Sequence, residues 1–179
     1  KLRHPSVEYL IRQIKDVKKR LPFISTVVFY DDSFMAIPKA TLKEFADRWK
    51  QEIGLPFCVM GVIPSFVKEE KMEILVDAGM NRIRMGIQSG SDRILDFYHR
   101  PNKPGLIQKT TEIIAKFSDR MIPPAYDIIL DNPIETREDV VDTLKMINGI
   151  PRPFTINYHS LRVMANTHLH RQFEEIGAL

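Results

Sequence analysis

The sequence predicts an α/β protein built on a parallel sheet, and three observations predict it. Short β-branched and aromatic runs alternate along the chain with stretches of helical apolar spacing. The strand runs start near residues 26, 57, 82, 124 and 154, at intervals of 31, 25, 42 and 30, which suit successive βα units. The carboxyl ends of those runs are polar: Asp31-Asp32, Pro64-Ser65, Gln88-Ser89-Gly90-Ser91, Asp131-Asn132 and His159-Ser160. Right-handed crossovers then give either an open sheet or a piece of a (β/α) barrel, and in both a ligand sits at the carboxyl ends of the strands.

Each element has its own signal. Val7, Leu10, Ile11, Ile14 and Val17 share one helix face, with Ser6 as N-cap. Residues 26–30 are a buried strand. Leu42, Phe45, Ala46, Trp49 and Ile53 form the next apolar stripe, and Thr41 with Glu44 fits a capping box before it. Residues 57–63 read as a strand ended by Pro64, after which Ser65 opens a helix running to Ala78 and stopped by Gly79. Residues 81–88 are the third strand, and Ser91 caps a short helix to Leu95. A helix over 107–117 and a strand over 125–130 follow. Thr136 and Asp139 flank a helix start whose stripe is Val140, Leu144 and Ile147. A strand over 154–161 and a helix over 169–176, with Gly177 after it, complete the pattern.

The chain has 179 residues, 44% hydrophobic and 27% charged, enough to form a core in a single domain. Its net charge of +3 favours a solvated surface over a nucleic-acid face. The clearest basic cluster, Lys15, Lys18, Lys19 and Arg20, lies on one helix with no interleaved aromatics. No apolar run reaches the length of a membrane span and Lys1 opens no signal-peptide pattern, so the expected location is cytoplasmic. The single cysteine, Cys58, excludes an internal disulfide and a multi-cysteine metal site within these residues; it reads as a buried core thiol.

The third strand is the most informative. Ile83, Met85 and Ile87 share one face, and Arg82, Arg84, Gly86 and Gln88 share the other. Asp127 and Asp131 alternate with apolar residues in the fourth strand, as Asn157 and His159 do in the fifth. A closed eight-stranded barrel fills its interior with apolar side chains. A polar inner face therefore predicts a wide, parallel-stranded, incomplete (β/α) TIM-like barrel around a polar ligand.

Four stretches carry a resemblance: "VVFYDDSF", "MGIQSGSDRILDFYHR", "DIILDNPIETREDVVDTL" and "LRVMANTHLHRQFEEIG". In order and spacing they resemble segments of the radical S-adenosylmethionine (SAM) core domain. These are the family's second-strand Asp-Asp-Thr-Phe turn, its Gly-Ile-Glu/Gln-Ser-Gly-Ser turn, its fifth-strand Pro-Gly-Glu-Thr segment and its late Gly-Thr-Pro-Leu segment. The group most similar is the one that includes methylthiotransferases and cobalamin-binding radical enzymes. The resemblance covers nearly all 179 residues as one partial domain, 1–179.

That resemblance implies a [4Fe–4S] cluster on a Cys-x3-Cys-x2-Cys loop, SAM bound to its open iron, and one-electron cleavage to a 5′-deoxyadenosyl radical. It also implies an electron donor such as flavodoxin or ferredoxin and, in part of the group, cobalamin carried by another domain. The helix from Ser6 is similar to the one after the cluster loop, so the family's first strand and cluster loop are expected upstream of Lys1, and these residues alone are expected to be inactive. The implied cofactor contacts are Gln88 and Ser89 to the ribose or methionyl part, with Gly90 allowing close approach and Ser91 opening a helix toward an anion. Asp31 and Asp32 would accept from the ammonium, Arg100 would meet a carboxylate, and Asp127, Ile129 and Asp131 would line the adenine. Glu135 could instead serve the following helix N-terminus. The chain departs from the family at Asp131-Asn132-Pro133-Ile134, which lacks the usual glycines, at Gly61-Val62-Ile63-Pro64, which lacks an arginine, and at His168, where proline is usual. Two further readings stand beside this one. One is a metal-dependent barrel hydrolase using Asp31, Asp32, Asp131 and His159. The other is a non-catalytic domain that keeps the fold. The substrate cannot be read from the residues.

Overall fold

The computed structural model describes residues 4–31, 34–100, 103 and 105–178. Five parallel strands form one sheet in chain order: β1 (Val27–Tyr30), β2 (Phe57–Val62), β3 (Met80–Gln88), β4 (Ala125–Leu130) and β5 (Thr155–Ser160). Helix α1 (Val7–Arg20) precedes the sheet. α2 (Lys39–Arg48) and α3 (Glu69–Asp77) follow β1 and β2. α4 (Asp92–Phe97) and α5 (Leu106–Ala115) lie between β3 and β4, while α6 (Arg137–Gly149) and α7 (His168–Glu175) follow β4 and β5. Strand order never reverses, so right-handed crossovers put the linking helices on one face of the sheet. The other face is bare, as the inside of an incomplete barrel is, and the sheet does not close.

The helix side holds the core. Phe57, Val59, Ile83, Met85 and Ile128 are fully buried there. The rings of Phe29, Phe34, Phe45, Trp49 and Phe57 pack tilted or edge to face, with centroids 5.0–5.8 Å apart. Trp49 donates from its indole N–H to the Leu55 carbonyl at 2.7 Å, which satisfies the one polar atom that the cluster buries.

Two helix starts differ from the sequence expectation. Thr41 and Glu44 do not form a capping box. α2 begins earlier, after Pro38, whose carbonyl accepts from Leu42 N at 2.9 Å. Ser65 does not open α3. Pro64–Phe66 is one 3-10 turn, and Val67 is then extended and inserts its side chain into the core. α3 starts only after that, with Glu69 and Glu70 against its positive end. Cys58 is buried, as expected. It lies on the bare face in register with Arg82, and its thiol donates to Asn81 Oδ1 at 3.5 Å. Burial pushes that thiol up, with the Arg82 charge pulling the other way. Among the described residues no helix is long and apolar enough to cross a membrane.

Candidate functional site

Register brings the polar positions of three strands together. Gly86, Asp127 and Asn157 lie side by side across β3, β4 and β5. Asp127, mostly buried, takes the Arg84 Nε–H on both carboxylate oxygens at 2.8 Å and accepts from Asn157 Nδ2 at 2.9 Å. His159 Nε2 stands 3.3 Å from Asp127 Oδ1 and 3.0 Å from an Arg84 terminal nitrogen. The bare face is thus hydrophilic in the middle, and its one β4 carboxylate is fully engaged. Alternation in the sequence pointed to this face, but the pairing of Arg84 with Asp127 and Asn157 needs the strand register.

At the end of β3, Gln88 has φ 77, a conformation that a side chain other than glycine's rarely adopts. The twist folds its amide back over Gly86, where a Cβ would collide with Gln88 Nε2 and come within 3.7 Å of Arg100. Gly86 is therefore the seat of the Gln88 amide. A cavity of about 190 Å³ opens beside it, lined by Ile63, Ser65, Gly86, His99, Arg100 and Ile107, among others. Exposed Arg100 lines that opening, and the half-buried Gln88 amide lies over Gly86 beside it.

The rest of that turn faces elsewhere. Ser89 is fully buried, 3.2 Å from Thr143 Oγ1, and accepts from Ser91 N at 3.1 Å. Gly90 N donates to Thr143 Oγ1 at 2.9 Å, and a Cβ on Gly90 would stand 2.6 Å from Thr143 Cα. Ser91 caps α4 by accepting from Ile94 N and donates to Asp139 Oδ1 at 2.5 Å; Asp139 is also ion-paired to Arg93. The structure thus turns Ser89, Gly90 and Ser91, the expected cofactor contacts, inward. Both hydroxyls are committed inside the protein, and the glycine makes room for α6 rather than for a ligand. Thr143 and Asp139, which the sequence reading did not assign to the site, hold this turn in place.

At the end of β4, Asp131 is exposed with φ 60 and accepts from Ser160 Oγ at 3.0 Å. Half-buried Ile129 is in register with His159. Buried Asn132 donates to Tyr98 OH at 2.9 Å and accepts from Ile134 N at 3.1 Å, which closes the turn without the glycines of the related pattern. Glu135 is half-buried, and burial pushes its carboxyl up. At the end of β1, Asp31 lies 4.0 Å from His4 Nδ1. Asp32 lies outside the described residues. Three strand spacings, about 14 Å, separate β1 from β4. Asp31 therefore does not converge with Asp131 and His159 on a metal, and no group of three metal-ligating side chains occurs among the described residues.

Comparison with known proteins adds the following. The family model described as the radical SAM superfamily matches residues 1–147. No curated protein matches the chain. Among solved structures, the chain is similar to apo, selenomethionine-labelled OxsB, described as a cobalamin-dependent S-adenosylmethionine radical enzyme. That match has a TM-score of 0.80 at 14% identity and covers 100% of this chain and 33% of OxsB. It is similar to TsrM from Kitasatospora setae, a radical S-adenosylmethionine methyltransferase solved with cobalamin and a [4Fe-4S] cluster (TM-score 0.75, 15% identity, 96% of this chain and 32% of that one). It is also similar to HemN, the coproporphyrinogen III oxidase of Escherichia coli (TM-score 0.71, 16% identity, 89% of this chain and 38% of that one). At these identities the likeness shows the fold, and the chain spans about a third of each structure's length.

Proposed function

Because the chain belongs to the radical SAM superfamily, we propose that residues 1–179 are a single partial core domain that binds S-adenosylmethionine across the carboxyl ends of its strands. The observation that carries this reading is the meeting of the Gln88 amide and the Arg100 guanidinium over Gly86, with Gly86 and Arg100 lining the cavity beside them. Strained backbone at a polar turn is a mark of a functional position.

The roles follow from donor chemistry. The Gln88 amide suits ribose hydroxyls, and the Arg100 guanidinium suits the methionyl carboxylate. Asp31, at the end of β1, and Asp32 would accept from the ammonium. Ile129 would offer an apolar surface to the adenine, flanked by Asp127 and Asp131. Ser89 and Ser91 act indirectly, by fixing the turn that presents Gln88. Cys58, the one cysteine, is turned into the sheet toward Asn81, so these residues do not hold a cysteine-ligated cluster. In the complete enzyme, one electron delivered from flavodoxin or ferredoxin would reduce the bound sulfonium and supply the hydrogen-abstracting chemistry. Cobalamin, named for OxsB and TsrM, would be carried by another domain.

Calorimetric titration of SAM into this chain tests the proposal. Saturable binding is expected, weakened roughly tenfold by Arg100→Met or by Gln88→Ala, each of which removes a charged or strained polar contact. Absence of binding, or native affinity in both variants, overturns it.

A further inference from the structure

Among the described residues two buried side-chain nitrogens lack a hydrogen-bond partner, and one of them is Arg82 Nε. Arg82 lies on the bare face of β3, two residues before Arg84. A guanidinium is charged at every pH at which proteins fold. Burying its Nε–H without an acceptor is unfavourable, and an anion is the acceptor that also meets the charge. The bare faces of the five strands present two guanidiniums, Arg82 and Arg84, against one carboxylate, Asp127. Asp127 already serves Arg84, Asn157 and His159, so no carboxylate on this face of the described strands remains for Arg82. Cys58, its register neighbour, supplies no compensating charge, because burial favours the neutral thiol.

We propose that the floor of the bare face is an oxyanion site in which Arg82 holds a carboxylate or phosphate group of the substrate. As a substrate anchor this rests on the radical-enzyme reading above; as an anion site it does not. Gln88 lies six positions beyond Arg82, about 20 Å along a strand. A molecule held at Arg82 and reacting near Gln88 is therefore an extended anion rather than a small acid.

The test is calorimetric titration of inorganic phosphate, and separately of malonate, into the intact chain at low ionic strength. Arg82→Gln and Arg82→Lys are the variants, and Lys19→Gln is a surface-charge control. Saturable binding is expected, with Kd weakened roughly tenfold or more in Arg82→Gln, partly restored in Arg82→Lys and unchanged in Lys19→Gln. Tighter phosphate marks a phosphorylated substrate, and tighter malonate marks a carboxylate one. No saturable binding, or equal Kd in Arg82→Gln and the native chain, overturns the site. Should Arg82→Gln fail to fold, phenylglyoxal modification of the native chain decides instead: phosphate must protect the Arg82 peptide, and no protection overturns the site. SAM is titrated into the same samples. SAM binding without phosphate binding removes this inference alone, whereas phosphate binding without SAM binding removes the radical-enzyme reading and leaves the oxyanion site standing.

Discussion

Replacing Gly90 by alanine places a methyl group in space that α6 already fills. The new Cβ would stand 2.6 Å from Thr143 Cα, 2.7 Å from the Asp142 carbonyl oxygen and 2.9 Å from Met146 Cβ. Carbon atoms at rest sit about 3.5–4.0 Å apart, so α6 must retreat by about 1 Å. Two of the three obstacles are backbone atoms, which no change of rotamer can move. Retreat also stretches the bonds that Thr143 Oγ1 makes with Gly90 N, 2.9 Å, and with Ser89 Oγ, 3.2 Å. Overpacking costs about 2 kcal/mol and two weakened hydrogen bonds about 1 kcal/mol each, about 4 kcal/mol together. For a chain of this size the corresponding fall in Tm is about 12 °C. Thermal melts followed by circular dichroism, with urea melts beside them, measure it. A Tm within 2 °C of the native value, together with lost SAM affinity, would refute the reasoning, because the glycine would then serve the ligand and not the helix.

Three further outcomes are expected. Gln88→Gly relieves the positive φ and raises stability by about 1 kcal/mol in urea melts while weakening SAM binding; a destabilised variant sinks the claim of strain. The Arg93 guanidinium, helped by Ser91 and Thr136, holds the Asp139 carboxyl well below the usual carboxylate range. Since the folded pKa lies below the unfolded one, this contribution is complete above the unfolded value of about 4 and is lost as pH falls below it. The urea midpoint should therefore drop on going from pH 5 to pH 2, and Asp139→Asn should flatten that drop. Asp127→Asn leaves Arg84 half-buried without its carboxylate and should cost about 2 kcal/mol by urea unfolding, with a native spectrum at 25 °C; no loss of stability would show that the pair is solvated and idle.

Much of the architecture was legible because its signals are local. The strand over Ala125–Leu130 is legible to the residue, and so is the helix start that Thr136 and Asp139 flank, which the structure closes as a capping box, since both depend on neighbours a few positions away. The polar face of β3 was legible from simple alternation. What the sequence hid depends on distant partners. Gly90 looks like a ligand-facing glycine until α6, more than fifty residues later, is seen packed against it. The left-handed backbone of Gln88 leaves no mark in the residue type, and the unpartnered Nε of Arg82 emerges only when register shows where Asp127 has gone. Val67 was missed as a helix breaker because nothing in its neighbourhood says that its side chain is needed in the core.

Each strand of the sheet hydrogen-bonds only to strands adjacent in the chain. No pairing waits for a partner from far along the polypeptide, so loop closure stays short at every step of assembly. β1 and β2 can zip together, with the aromatic cluster behind them, while β5 is still being synthesised. The same serial wiring lets a βα unit be gained or lost at either flank without rethreading those already in place, which makes this a protein that can lengthen by accretion.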